Sequence, residues 1–284
     1  MITLEQAKKI IKDQVKILKE EKVCLNDSLF RILSEKIVSD RDYPPFDKAQ
    51  MDGLACKQND RKKKLKIIEE IPAGKIPQKI INSGECAKIM TGAVMPEGAD
   101  CVIMVEQAEF LNENEVIFKG NDTEKYCYKK GSDLKRGDTV LTLGEKITSQ
   151  HIAILSSVGI TEVPVFKKPN VAVITSGNEI VNAGISPQTE QIRDCNSPML
   201  LAQLNKLGIS GRFYGIARDE YDSMKELTLK ALDDDNQVII FSAAMSMGDY
   251  DFGPRLFKDI GADIKFEKIA FQPGKPTVFA VCNG

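Results

Sequence analysis

Beyond residue 169 short apolar runs alternate with amphipathic, capped segments, and this alternation restricts the fold more than any other feature. VAVITS (171–176) reads as a buried strand. Asn196 or Ser197 then caps a helix that has Pro198 in its first turn. Leu200, Leu204 and Leu207 line one face of it, and Gly208 ends it. GRFYGI is a strand, and Asp222 caps a helix through Leu232. QVIIFS is a strand, and Asp251 opens a helix to Ile260 that Gly261 stops. DIKFEKIA is a further strand. Such a pattern predicts a three-layer α/β/α domain with a mostly parallel sheet.

Upstream the texture differs. Thr3 and Gln6 form a capping box ahead of an apolar stripe at Leu4, Ala7, Ile11 and Leu18, predicting a helix that ends near Glu20. A second short helix is expected around 29–33. Between 40 and 137 turn signals alternate with short β-like runs (KLKIIEEI, ECAKIM, DCVIMVEQ, EVIFK, DTVLTL), which predicts an inserted β-rich domain of small sheets or a barrel-like form. Helical spacing returns at 148–158, with Gly159 as the stop. PVFKKP (164–169) reads as a linker. The expected division is a split helical and linker segment at 1–39 and 138–166, the β-rich insert at 40–137, and an α/β domain at 167–284.

Charge and rare residues narrow the chemistry. The net charge is −2, which disfavours a general grip on nucleic acid. No apolar window approaches the ~18 residues that cross a bilayer. The charged N-terminus has no signal-peptide character, so no membrane association and a cytoplasmic location are expected. Seven scattered cysteines without a CxxC pair read as free thiols in a reducing compartment. A single histidine, His151, nearly removes zinc sites and histidine-based triads.

Parallel α/β sheets bind ligands beyond the carboxyl ends of their strands. There the sequence places Gly177 and Glu179 after VAVITS, Asp219 after GRFYGI, and Gly248, Asp249 and Asp251 after QVIIFS. Three strand ends thus deliver acids to one rim. Acids at helix starts also serve simply as caps. A carboxylate rim without His or Cys suits Mg²⁺, and small residues before a helix offer N–H groups to a phosphate. A phosphorylated or nucleotidylated ligand sharing its charge with Mg²⁺ reconciles the two features.

Eight strings resemble one family in its order. PPFDKAQMDGLA (44–55) is similar to PPFDxSxMDGYA, and IMTGAVMPEGADCVIMVE (89–106) to MTGAxxPxGAxxVVxxE. KKGSDLKRGDTVL resembles GEDxxxGxxxL, ITSGNEIV resembles STGDELV, IRDCNSPML resembles IxDxN, and GIARDE resembles GIxxDD. FSAAMSMGDYDF (241–252) resembles SGGVSxGxxD, and QPGKPTVFA resembles KPGKPxxFG. The patterns are those of the molybdopterin molybdenumtransferases, the MoeA and gephyrin E-domain family. The resemblance implies Mg²⁺-dependent insertion of molybdate into adenylylated molybdopterin, with release of AMP. It also implies a homodimer, a molybdopterin adenylyltransferase as partner, and an α/β domain like that enzyme's.

By the same resemblance, Asp52, Thr91, Asp133, Glu179, Asp219 and Asp251 are expected to be catalytic, with Glu179, Asp219 and Asp251 holding metal. The first three would come from the β domain, that of the partner subunit. Ser176, Gly177, Ser246, Gly248, Lys268, Gly274 and Lys275 are expected to contact the pterin, its phosphates or molybdate. As a bland reading, Asp52, Thr91 and Asp133 are turn and loop residues. The chain departs from the pattern at Ala243 and Ala244, where the family has glycines, and at Gln272, where it often has lysine. The family's C-terminal β domain is expected to be absent from these 284 residues. Two alternatives therefore stand beside the enzyme reading: a catalytically impaired molybdopterin-binding or scaffold protein of the same fold, and a molybdopterin adenylyltransferase.

Overall fold

The computed structural model describes residues 1–121, 123–242 and 253–282. In chain order the first elements are α1 (Leu4–Gln14), β1 (Glu20–Cys24), β2 (Ile37–Val38), β3 (Lys48–Ala49), β4 (Gly53–Cys56), β5 (Leu65–Ile71), β6 (Glu85–Ile89) and β7 (Cys101–Met104). Next come β8 (Ala108–Asn112), β9 (Glu115–Phe118), β10 (Cys127–Tyr128), β11 (Thr139–Leu141), α2 (Ser149–Ser157) and β12 (Glu162–Phe166). The chain continues through β13 (Val171–Ser176), β14 (Ile180–Val181), β15 (Ile192–Arg193), α3 (Asn196–Lys206), β16 (Gly211–Ala217) and α4 (Tyr221–Asp233). It ends with β17 (Val238–Ser242), α5 (Gly253–Asp259), β18 (Ala262–Lys268) and β19 (Pro276–Cys282). Two compact units result. One, the α/β unit, comprises Met1–Ser34, Lys146–Thr148 and Val163–Gly284; the other, the β unit, comprises Glu35–Glu145 and Ser149–Glu162.

In the α/β unit β13 lies between β16 and β17, parallel to both. All six of its residues are buried. Because side chains alternate along a strand, Val171 and Val173 pack with Leu204 of α3. Ala172 and Ile174 pack with Met224 and Ala231 of α4 and Leu256 of α5. Helices therefore cover both faces, which is what a parallel sheet without a solvent face requires.

The mostly parallel sheet of the sequence reading is thus present as three strands, and β18 does not join it. β18 pairs antiparallel with β19. α1 lies on that hairpin, with Ala7 buried against Phe266 and Ile269. The capping box forms, Thr3 Oγ1 accepting from Gln6 N and Gln6 Oε1 from Thr3 N.

α1 ends earlier than predicted. Val15 adopts extended backbone, and the following residues feed β1 instead of a further helical turn. No helix forms at 29–33. Leu33, fully buried, pairs with Val165, and Ile32 with Lys146. The supposed linker at 164–169 overlaps β12, which pairs with β1. Pro164 lacks an N–H, yet its carbonyl accepts from Ser34 N, so it suits this two-stranded edge. Arg31, 8 % exposed, pairs with Glu21 and donates to Phe166 O at 2.8 Å.

The β unit is built on a six-stranded sheet in the order β7-β4-β6-β5-β9-β8. Among the described residues β7 and β8 are its unpaired ends, so the sheet is open, where a barrel-like closure was expected. Both faces are covered. Leu54, Cys56, Cys86, Cys101 and Ile103 point to one core, while Ala55, Ala87 and Val102 point to the other. The approach of β7 to β4 is close enough to demand Gly53. A Cβ there would lie 1.9 Å from Ile103 O.

Gly53→Ala is expected to lower stability by about 3 kcal/mol or more, read as a fall in urea midpoint, because backbone must move to admit the methyl. A pH effect is expected at Asp60. This buried carboxylate accepts from Lys63 Nζ and, at 3.0 Å, from Gly84 N, and these bonds, with Ser83, lower its pKa to about 2. A lowered folded-state value means the stabilisation is complete above the unfolded value of about 3.9 and is lost as pH falls toward about 2. Urea midpoints measured across that window should converge for the wild type and Asp60→Asn at the acid end.

Candidate functional site

The carboxyl end of β13 delivers Ser176 and Gly177. Ser176 is 3 % exposed, and its hydroxyl has no hydrogen-bond partner among the described residues. Gly177 has φ 145 and donates to Ala217 O at 3.1 Å, at the end of the neighbouring β16. A Cβ on Gly177 would sit 2.6 Å from Glu179 Oε2 and 2.7 Å from Ile180 Cγ1. The glycine is thus what lets Glu179 fold back over the strand end.

The two loops then clasp each other. Asn178 N donates to Asp219 Oδ2 and Asp219 N donates to Asn178 Oδ1, each at 3.2 Å. An open cavity of about 520 Å³ lies there, lined by Gly177, Asn178, Ile180, Ile216, Ala217, Arg218 and Glu220. It sits beyond the strand ends of a parallel sheet, where such folds bind ligands.

One residue of this end was missed. Asp194 is 6 % exposed, and its carboxylate accepts from Asn196 N at 3.0 Å, Ser197 N at 3.1 Å, the Ser197 hydroxyl, and Thr175 Oγ1 at 3.5 Å. It, and not Asn196 or Ser197, supplies the side chain that caps α3. Asn196 is left free to donate to Ser242 Oγ at 2.8 Å, at the end of β17. The clue in the sequence was an acid two positions before the helix, D-x-N-S-P, an arrangement that satisfies N-terminal amides as an N-cap does.

Lys268, Gly274 and Lys275 gather at the turn between β18 and β19. Ile269 N bonds Lys275 O at 3.0 Å, and Lys268 pairs with Pro276. Among the described residues no hydrogen bond or ion pair joins these lysines to Glu179 or Asp219. Ser246, Gly248 and Asp251, with Ala243 and Ala244, lie outside the described residues.

In the β unit Asp52 and Thr91, 39 positions apart, are brought together. Asp52 Oδ1 accepts from both Thr91 Oγ1 and Thr91 N at 2.6 Å. Hydrogen bonds to the charged form lower the Asp52 pKa, the hydroxyl first and the amide second. Both residues are exposed, as is Asp133. Asp133 accepts from Ser132 Oγ at 3.1 Å and donates its N–H to Tyr43 O, and among the described residues no hydrogen bond or ion pair joins it to Asp52 or Thr91.

Glu179 and Asp219 carry the hard oxygen donors that Mg²⁺ takes. Among the described residues, however, no group of three His, Cys, Asp or Glu side chains gathers to hold a metal. These two carboxylates alone do not make a magnesium site.

Two family models cover nearly the whole chain. That of the MoeA N-terminal region (domain I and II) matches residues 2–159, and that of a probable molybdopterin binding domain matches residues 172–284. The chain belongs to the MoeA family. The resemblance carried by the eight motifs is thereby confirmed.

Among MoeA relatives, the molybdopterin molybdenumtransferase of Staphylococcus aureus strain Mu50 is 35% identical over 269 residues, 92% of this chain and 64% of that protein. The one from strain MRSA252 is 34% identical over 290 residues, 100% of this chain and 69% of that protein. The chain thus spans 64% of the length of the first of these relatives. A crystal structure of molybdopterin biosynthesis MoeA protein from Pyrococcus horikoshii superposes with a TM-score of 0.82 at 37% identity, covering 100% of this chain and 72% of that one. A second MoeA structure from that organism gives 0.83 at 27% identity, covering 98% and 72%. The mixed α/β architecture is therefore that of MoeA. Among the described residues no helix is long and apolar enough to cross a membrane.

Thr91→Val should raise the Asp52 pKa toward its ordinary value, because the larger of its two stabilising bonds is removed. Carboxyl-carbon NMR titration of both proteins checks this, and an unmoved Asp52 would show that the hydroxyl contributes nothing.

Proposed function

We propose that this chain acts in molybdenum cofactor synthesis as a molybdopterin molybdenumtransferase, inserting molybdate into adenylylated molybdopterin with release of AMP. The observation that supports it most is the open cavity at two adjacent strand ends, lined by Gly177, Asn178, Ala217 and Arg218 and clasped by Asn178 and Asp219, in the segment that matches a molybdopterin binding domain. The curated relatives bear the name of that enzyme.

In this reading Asp52, Thr91, Asp133, Glu179, Asp219 and Asp251 are the catalytic residues. Ser176, Gly177, Ser246, Gly248, Lys268, Gly274 and Lys275 contact the pterin, its phosphates or molybdate. Mg²⁺ is held by Glu179, Asp219 and Asp251, the last supplying the donor that the other two lack. The hydroxyl of buried Ser176, without a partner among the described residues, favours a polar ligand at this strand end, since a buried polar group left unpaired is costly. A homodimer, a molybdopterin adenylyltransferase as supplier of the substrate, a cytoplasmic location and the division into a split helical segment, a β-rich insert and an α/β domain complete the reading.

A specific observation keeps a second reading alive. Ala243, Ala244 and Gln272 replace two glycines and a lysine of the motif, changes that would weaken an anion site. A molybdopterin-binding protein that has lost turnover would look like this.

The test is AMP release from adenylylated molybdopterin with molybdate and Mg²⁺, set beside pterin binding followed by its fluorescence. Release that requires both ions, and that falls about tenfold or more in Asp251→Asn and Asp219→Asn, supports the enzyme. Binding without release would favour the impaired protein, and neither binding nor release would remove both.

A further inference from the structure

Three thiols share one core face of the six-stranded sheet. Cys56 ends β4, and the strand register sets it opposite both Cys86 of β6 and Cys101 of β7. All three are 0 % exposed, among Leu54, Leu65, Ile103 and Val116. One pair is in contact, Cys56 Sγ and Cys101 Sγ standing 3.5 Å apart.

Cysteine in a core is usually a small hydrophobe. A cation beside this pair argues for more. Arg61 is 4 % exposed, its guanidinium 4.5 Å from the centre of the Phe118 ring, and Phe118 packs against the same cluster. Nη1 donates to Glu124 O at 2.9 Å, but Nε and Nη2 have no partner among the described residues.

Behind the S–H contact, burial raises both thiols and the Asp100 carboxylate raises Cys101 further; the Arg61 cation is the smaller counterweight, its field favouring a thiolate at either sulfur. Within the pair the S–H bond dominates. Either sulfur can donate in this contact, and Cys101 Sγ also reaches Cys56 O at 3.5 Å as a donor, so the bond stabilises a thiolate at one sulfur through the proton kept at the other. Cys86 gains nothing of the kind, and burial pushes its thiol up to about 12. The contacting pair, and not Cys86, therefore carries the reactive thiolate.

We propose that Cys56 and Cys101 are a site of oxidative modification, a dithiol that a peroxide converts to a cross-strand disulfide. The thiolate of one of the two attacks one peroxide oxygen and the O–O bond breaks. Hydroxide leaves, and that sulfur becomes a sulfenic acid. The other sulfur then attacks it, the S–O bond breaks, and a second hydroxide leaves. The two thiol protons join the two hydroxides, so two thiols and one hydrogen peroxide give one disulfide and two waters.

Access follows from position. Cys56 is the last residue of its strand and Cys101 the first of its own, and strand ends open before centres do. Asp100, next to Cys101, forms an ion pair with Lys125 at 3.2 Å in which both side chains are about half exposed to solvent. The bond would close one end of the β4–β7 ladder, whose other end carries Asp52, its carbonyl bonded by Val105 N at 3.1 Å.

Treatment of the folded protein with hydrogen peroxide, alkylation and non-reducing peptide mass spectrometry tests this. A peptide pair linked through Cys56 and Cys101, about 2 Da lighter than the sum of its parts, is expected, with Cys86 alkylated after unfolding. Cys86→Ser should leave the link intact, and Cys101→Ser should abolish it with the circular dichroism unchanged. Arg61→Met should slow its formation about threefold or more, and Arg61→Lys should restore part of the rate. A link through Cys86, or no link at peroxide doses that oxidise exposed Cys24 and Cys195, would overturn the proposal.

Discussion

Hydrogen bonding on both edges and burial on both faces hold β13 from four sides, and the α/β unit is arranged around that strand. Val171 and Val173 commit one face to α3, while Ala172 and Ile174 commit the other to α4 and α5. With side chains alternating, neither set can turn outward without exposing the other's core, each apolar side chain contributing roughly 1.5–3 kcal/mol. The backbone beyond Ser176 therefore leaves the sheet at a defined point. Gly177 turns there at a φ that favours glycine, and Glu179 and Asp219 come to adjacent strand ends. The positions of the acids are consequences of packing on a strand that itself carries no charge.

The β unit uses a different device for the same end. Gly53 lets β4 lie close against β7 and also starts the strand next to Asp52. β6 ends two residues before Thr91, and the β4–β6 register sets Gly53 opposite Ile89. Register thus brings the acid and the hydroxyl together across 39 residues of sequence, and two N–H and O–H donors on one oxygen hold the carboxylate in its charged form. A pair placed by sheet register is more definite than one placed by two free loops, because slipping by one residue would turn both cores inside out.

About half of the strands, and the five helices in outline, were legible because their signals are local. β5, β6, β7, β9 and β11 fall within the five runs read as β, and α3, α4 and β17 follow from caps and apolar spacing. The failures share a cause as well. Residues 29–33 have helical composition, but Leu33 gains more by pairing with Val165 in a buried ladder than by a short isolated helix. DIKFEKIA reads as a strand and is one, yet its partner is β19, and pairing direction leaves no mark in a single strand's composition. Asp194 went unread as a cap because its role depends on burial between Thr175 and Ser197, which no spacing reports.

By itself the sequence determined the family, the order of its motifs, and the delivery of acids to the ends of parallel strands. These depend on residue identity and on periods of two and 3.6, which are properties of neighbours along the chain. Only the tertiary structure decided that Asp52 meets Thr91 while Asp133 bonds elsewhere. It alone decided that Asn178 and Asp219 clasp the rim, that α1 seats on the β18–β19 hairpin, and that Cys56 chooses Cys101 over Cys86. Each of those outcomes is a contact between distant segments, set by strand register and by which face is buried, and such contacts exist only once the cores have closed.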